Sequence, residues 1–292
     1  MPAALLIPAA AIVFSLSSCG GDDNNNTTAD SVSQDTVQTQ PVSMEFARVP
    51  SPAEMFIFMK GLGTANVGAD LLNSVDNEKG YESKKSQALN LGVYSADLLY
   101  CSTFDLSNKV VGYFGVCMRM GDKLQVATSI SEKDKDRINK NTGNSDSLIA
   151  ISNDLYLSSF QNLETNDRGA DLSLMLAGGW VESLYLMSSM VKDFEKDKQA
   201  AVKVAEQGSA LDNLIEYMTQ HESNADVASV LQQLKELRAS FEGIKTTQGG
   251  GMTNKNGKKV LGGGSKTEVT KEQFEAIQKK TAEVRKSIVD SH

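Results

Sequence analysis

In the last third of the chain, apolar positions return every three or four residues over several helical turns. After Asn224, an N-cap with Asp226 in its first turn, Val227, Val230, Leu231, Leu234, Leu237 and Phe241 fall on one face. Thr270 to Gln273 has the spacing of a capping box, and Phe274, Ile277, Val284 and Ile288 mark one side of the helix behind it. Between Lys198 and Thr219, Ala201, Val204, Leu211, Leu214, Ile215 and Met218 do the same. Three amphipathic helices need a common core. Further helices are predicted at about 52–60, 82–103, 143–165 and 168–194. Residues 108–130 read two ways, as a hairpin around Gly121-Asp122 or as a helix through Val110, Phe114, Cys117 and Met118. The segment 248–265, with two glycine triplets, reads as a glycine-rich mobile connection or a small ribbon before the last helix.

One stretch is apolar on nearly every side. Leu172 to Val191 runs 20 residues with a single charge, Glu182, at its middle. Its length would span a bilayer, but a central carboxylate costs about 2.5–3.5 kcal/mol on insertion scales. A helix at the centre of a bundle is the better reading. Gly178 and Gly179 inside it forfeit about 1 kcal/mol each relative to alanine, which a close crossing with another helix would offset. The natural partner is Leu89 to Tyr100, where Gly92 interrupts a second apolar helix.

The opposite end of the chain carries an address. An apolar run from Ala3 to Phe14 has signal-peptide length and is followed by Leu16-Ser17-Ser18-Cys19. This resembles the bacterial lipobox, in which the cysteine sulfur takes a diacylglyceryl group and the chain is cut just before it. No Lys or Arg precedes Arg48, so the usual cationic n-region is missing. Two or three acyl chains, at about 0.8 kcal/mol per buried methylene, would hold the protein on a membrane. From Gly20 to Ala47 the chain is polar, with five acidic and no basic residues, and cannot offset its ordering entropy. Such a tether would reach roughly 30 Å. The acidic pair Asp22-Asp23 looks like the export signals of surface lipoproteins in Bacteroidota. The tether holds most of the net charge of -8, so the remainder offers neither a nucleic-acid footprint nor a polybasic patch.

Three segments, "LNLGVYSADLLY", "NDRGADLSLMLAGGWVESLYL" and "LDNLIEYM", occur in that order and resemble a group of Bacteroidota lipoproteins, the likeness running from about Ser51 to the end. The resemblance implies an all-helical domain, which tilts residues 108–130 toward helix. It carries over no activity. Ser95 and Ser183 stand where relatives would be expected to prefer glycine, implying a looser crossing.

Within the two central helices, Asp97 and Glu182 are carboxylates among apolar neighbours, close in sequence to Tyr94 and Trp180. These four could form a ligand pocket, or the carboxylates could be acid and base groups lining one open cleft. The alternative is that each carboxylate accepts hydrogen bonds from a tyrosine, a helix terminus or Arg168 and so fixes the packing. Other chemistry is thin. Histidine occurs only at positions 221 and 292, leaving little for a triad or a zinc site, and no metal or cofactor is expected. Ser189-Met-Val-Lys192 matches the S-x-x-K spacing of penicillin-recognising enzymes without their partner motifs. Gly61 to Gly68 resembles a phosphate loop but has Asn66 at the third glycine and no βαβ context, so it reads as a turn. Cys101 and Cys117, on successive helices turning near Asp105, should lie beyond disulfide reach as buried apolar residues.

These readings predict a signal peptide at 1–18, a lipidated tether at 19–48, a helical bundle at 49–247, the glycine-rich loop at 248–265 and a packed C-terminal helix at 266–292. About eight or nine helices are expected. The expected protein is an outer-membrane lipoprotein, surface-exposed or periplasm-facing, joined to the membrane through Cys19 and acting by binding or assembly. Its partner would be another envelope protein or a small ligand, with no nucleic acid; a carrier with an inter-helix pocket is the alternative, and catalysis by the carboxylates a more distant one.

Overall fold

A helix that is apolar on all sides must be surrounded, and the rest of the fold is arranged to do this. In the computed structural model, which describes residues 50–64, 68–126, 132–247, 252–255, 258–261 and 266–291, the apolar stretch forms α6 (Gly169–Met190). It is buried along almost its whole length and packs most extensively on α2 (Lys84–Thr103). Around this pair lie α1 (Pro52–Gly61), α3 (Ser107–Lys123) and α5 (Ser145–Thr165), and α4 (Glu132–Lys140) packs on α5. The other side is covered by α7 (Lys198–Ala205), α8 (Gln207–Thr219), α9 (Ala225–Ala239) and α10 (Lys271–Val289). The fold is an all-α multi-helix bundle, with ten α-helices among the described residues and one 3-10 helix at Val75–Gly80.

The local signals explain where these helices begin and end. Ser51 and Thr270 close capping boxes with Glu54 and Gln273, and Ser83, Asn144 and Asn224 accept N-terminal backbone N–H groups of α2, α5 and α9. Asp105, Gln125 and Asp167 adopt positive φ just past α2, α3 and α5 and turn the chain out of each helix. The turn at Asp105 is the one expected, and 108–123 is helical. Among the described residues no helix is long and apolar enough to cross a membrane. Cys101 and Cys117 are both free and buried.

Three expectations need correction. The stretch 198–219 is not one helix: it is interrupted at Glu206, and Gly208, two residues on, sits where a Cβ would lie 3.2 Å from the Phe241 ring. The sixth helix ends at Met190 rather than at 194, because Asp197 draws the N–H groups of Lys192 and Asp193 into a turn. Finally, α4 was not foreseen, since Ile138 is its one buried apolar residue in an otherwise charged segment. The glycine-rich segment contains a ribbon: β2 (Met252–Lys255) pairs antiparallel with β3 (Lys258–Leu261). Outside it, β1 (Lys245–Thr247) pairs antiparallel with β4 (Lys266–Glu268), placing Thr246 opposite Thr267. The expected signal peptide, Cys19 and the tether to residue 48 lie outside the described residues.

Candidate functional site

The site begins with the absence of side chains. At the α2–α6 crossing the backbones touch: a Cβ on Gly92 would fall 2.0 Å from the Met175 carbonyl oxygen, and one on Gly178 would fall 1.9 Å from that of Leu89. Gly179 faces Gly92 in turn, with 3.2 Å between a built Cβ and the Gly92 carbonyl. Ser95 and Ser183 turn their hydroxyls back on their own helices, to the carbonyls of Leu91 and Gly179 at 2.7 Å each. The expected partnership of the two glycine-bearing helices is therefore present, and small residues make it possible. Asp97 and Glu182 stand about one turn beyond Gly92 and Gly179 on their helices. The close approach lets two carboxyl groups on different helices meet.

Both carboxyls are wholly inaccessible to solvent, each at 0 % exposure. Glu182 receives a two-pronged guanidinium from α10: Arg285 Nε donates to Oε2 at 2.7 Å and Nη2 to Oε1 at 2.9 Å. Nη2 also donates to the Leu71 carbonyl at 2.9 Å, and the guanidinium lies 4.4 Å from the centre of the Tyr185 ring. Asp97 Oδ2 accepts the backbone N–H of Asn73 at 3.1 Å. Burial, and after it the charge of Glu182, pushes the Asp97 carboxyl well above the usual carboxylate range. Burial also raises Glu182, against the opposing pull of Arg285.

Asn73 is the hub of the surrounding network. Its backbone N–H serves Asp97 and its carbonyl accepts the Tyr113 hydroxyl at 3.0 Å. Its side chain donates to the Tyr81 hydroxyl at 3.0 Å and to Asn90 Oδ1 at 3.4 Å, and accepts from Asn77 at 2.8 Å. Tyr81 and Asn90 then donate to the carbonyls of Val289 and Ile288 at 2.8 and 3.1 Å, satisfying groups that the end of α10 would otherwise leave open. Tyr94 donates to the Ser74 carbonyl at 2.7 Å. Burial pushes the hydroxyls of Tyr94 and Tyr113 and the Cys101 thiol upward, and the Cys117 thiol up to about 12.

Comparison with protein-family models, curated proteins and solved structures finds no match. Of the four residues singled out in the sequence, the structure brings Tyr94, Asp97 and Glu182 into one polar cluster. Trp180 is also buried, at 2 % exposure, but its Nε1 makes no hydrogen bond. Arg168 is not the partner of either carboxylate; it bonds Asp171 and the Leu124 carbonyl instead. Sequence reasoning passed over Arg285, Asn73, Asn90 and Tyr81. Arg285 had a visible signal, lying four residues beyond Thr281 and eight beyond Ile277 on the buried side of α10.

What this cluster can do is hold α2, α3, α6 and α10 in register with the loop that carries Asn73. A cleft of about 340 Å³ lies nearby, walled by Leu72, Ser74, Val75, Lys109 and Tyr113, and another of about 280 Å³ lies beside Leu62–Thr64 and 196–200. Neither is lined by Asp97 or Glu182. Among the described residues no group of three metal-ligating side chains is gathered.

Proposed function

We propose that this protein is an envelope lipoprotein, anchored through Cys19, whose helical domain works by non-covalent binding or as a component of an assembly. The observation that carries the non-catalytic part is the commitment of Asp97 and Glu182 to internal partners. A general acid or base must reach the atom it protonates or deprotonates. Among the described residues the two carboxyls whose proton affinity is raised, Asp97 and Glu182, are enclosed, with Asn73 and Arg285 bonded to them. Supporting the anchor are the apolar run Ala3–Phe14, the small residues before Cys19 and the acidic Asp22-Asp23 behind it. The outer membrane, with the domain facing either the medium or the periplasm, suits these features and the resemblance to Bacteroidota lipoproteins.

Cys19→Ala expressed beside the wild type should move from the membrane fraction to the soluble one. Equal partitioning of the two would defeat the anchor. Cross-linking from the anchored domain in intact cells, followed by identification of the linked protein, tests the assembly role.

A further inference from the structure

Two buried carboxyls face a single guanidinium. Left as three charges, the group would carry a net negative charge on two carboxyls that are both fully buried, far costlier than taking up one proton. The oxygens indicate where that proton sits. Both oxygens of Glu182 accept from Arg285, and Asp97 Oδ2 accepts from Asn73. Asp97 Oδ1 is buried with no hydrogen-bond partner, and the Asp97 carboxyl lies close enough to Glu182 for each to act on the other's proton affinity. A proton on Oδ1 would remove the second negative charge and give that oxygen a hydrogen to donate toward Glu182.

We propose that Asp97 is a neutral acid in the folded protein, and that its proton completes a clasp holding α10 on the core, so that α10 loosens as the pH rises. The clasp has three attachments close together on α10: Arg285 to Glu182 and Leu71, Ile288 to Asn90, and Val289 to Tyr81. Several titratable groups surround the pair. On α2 these are Tyr94 and Cys101, on α3 Tyr113 and Cys117, on α6 Tyr185, and on α10 Arg285 with Asp290 just beyond it. The neighbouring 3-10 helix adds Glu78 and its cap Tyr81; Glu78 is paired with Arg119 and Lys123. Burial keeps the phenols of Tyr81, Tyr94 and Tyr113 and both thiols protonated, so Arg285 is the cation facing the pair.

In the unfolded chain Asp97 ionises near pH 4. The folded state keeps a proton that the unfolded state has lost, so stability falls as the pH rises from about 4 toward the folded group's own titration. For one proton the folding constant drops about tenfold per pH unit across that window. Asp97→Asn preserves a donor toward Glu182 and removes the titration.

Urea unfolding of the wild type and Asp97→Asn over a pH series rising from about 5 should therefore show the wild type losing stability more steeply than the variant, by up to about tenfold per unit until the folded group itself titrates. Hydrogen exchange at matched pH should locate the difference first in 271–289. Infrared spectra of the folded wild type at neutral pH should contain a protonated-carboxyl stretch that vanishes in Asp97→Asn. It should vanish also in Glu182→Gln, where the remaining carboxyl ionises against Arg285. Parallel pH slopes, or no acid stretch in the wild type, would overturn the proton; loss of protection spread evenly over the bundle would overturn the clasp. The infrared arm on the wild type stands even if a variant fails to fold.

Discussion

The α2–α6 crossing and the layer formed by α8, α9 and α10 both join helices, but by opposite means. In the outer layer the gap is filled by side chains: Leu211 and Leu214 from α8, Val230, Leu231 and Leu234 from α9, and Ile277 and Ile288 from α10. Such interfaces keep axes about 8–10 Å apart and can relax when a side chain changes. At the crossing the contact is backbone against backbone, with Met175 and Leu89 carbonyls seated where glycine leaves room. Nothing there can rotate out of the way. The polar cluster beyond it inherits that rigidity, whereas α10 reaches the same cluster from a layer that can give.

The sharpest break is Gly178→Ala, whose methyl group would meet the Leu89 carbonyl. Overpacking usually removes about 1–3 kcal/mol; with backbone as the obstacle, we expect about 4 kcal/mol by urea unfolding. A loss below about 1 kcal/mol would mean the helices are free to part. Leu234→Ala in the outer layer leaves a hole rather than a collision and should remove about 3 kcal/mol, softened by collapse of its neighbours. Gly112→Ala supplies the contrast, because a Cβ there meets only Val75 Cγ1 at 4.0 Å on an exposed face of α3. It should raise the unfolding midpoint, adding up to about 1 kcal/mol. If all three glycine and leucine changes had equal effects, the two kinds of interface would not be distinct.

Much of this contrast was legible in the sequence. Glycines within an apolar helix stand out because each lowers helix propensity, and a close approach is the simplest compensation. Asp97 and Glu182 stood out for the same reason, as charged groups where charge is disfavoured. What periodicity records is the face a helix turns inward, not the distant loop that docks on it. Asn73 lies in a non-helical segment, so no repeat betrayed its place at the hub. Arg285 lay on the inward face of α10 and could have been matched to the surplus carboxylate. The break at Glu206 was hidden because its helical backbone leaves the apolar spacing on either side nearly in phase.

The short pairing of Lys245–Thr247 with Lys266–Glu268 brings Thr247 and Lys266, the residues on either side of 248–265, next to each other. Chain between neighbouring ends can be exchanged at small loop-closure cost. That makes 248–265 a natural grafting point for an epitope tag or a fluorescent reporter. A cassette placed there would leave both the N-terminal segment and the last helix with their own sequences, giving a handle for following the protein in living cells.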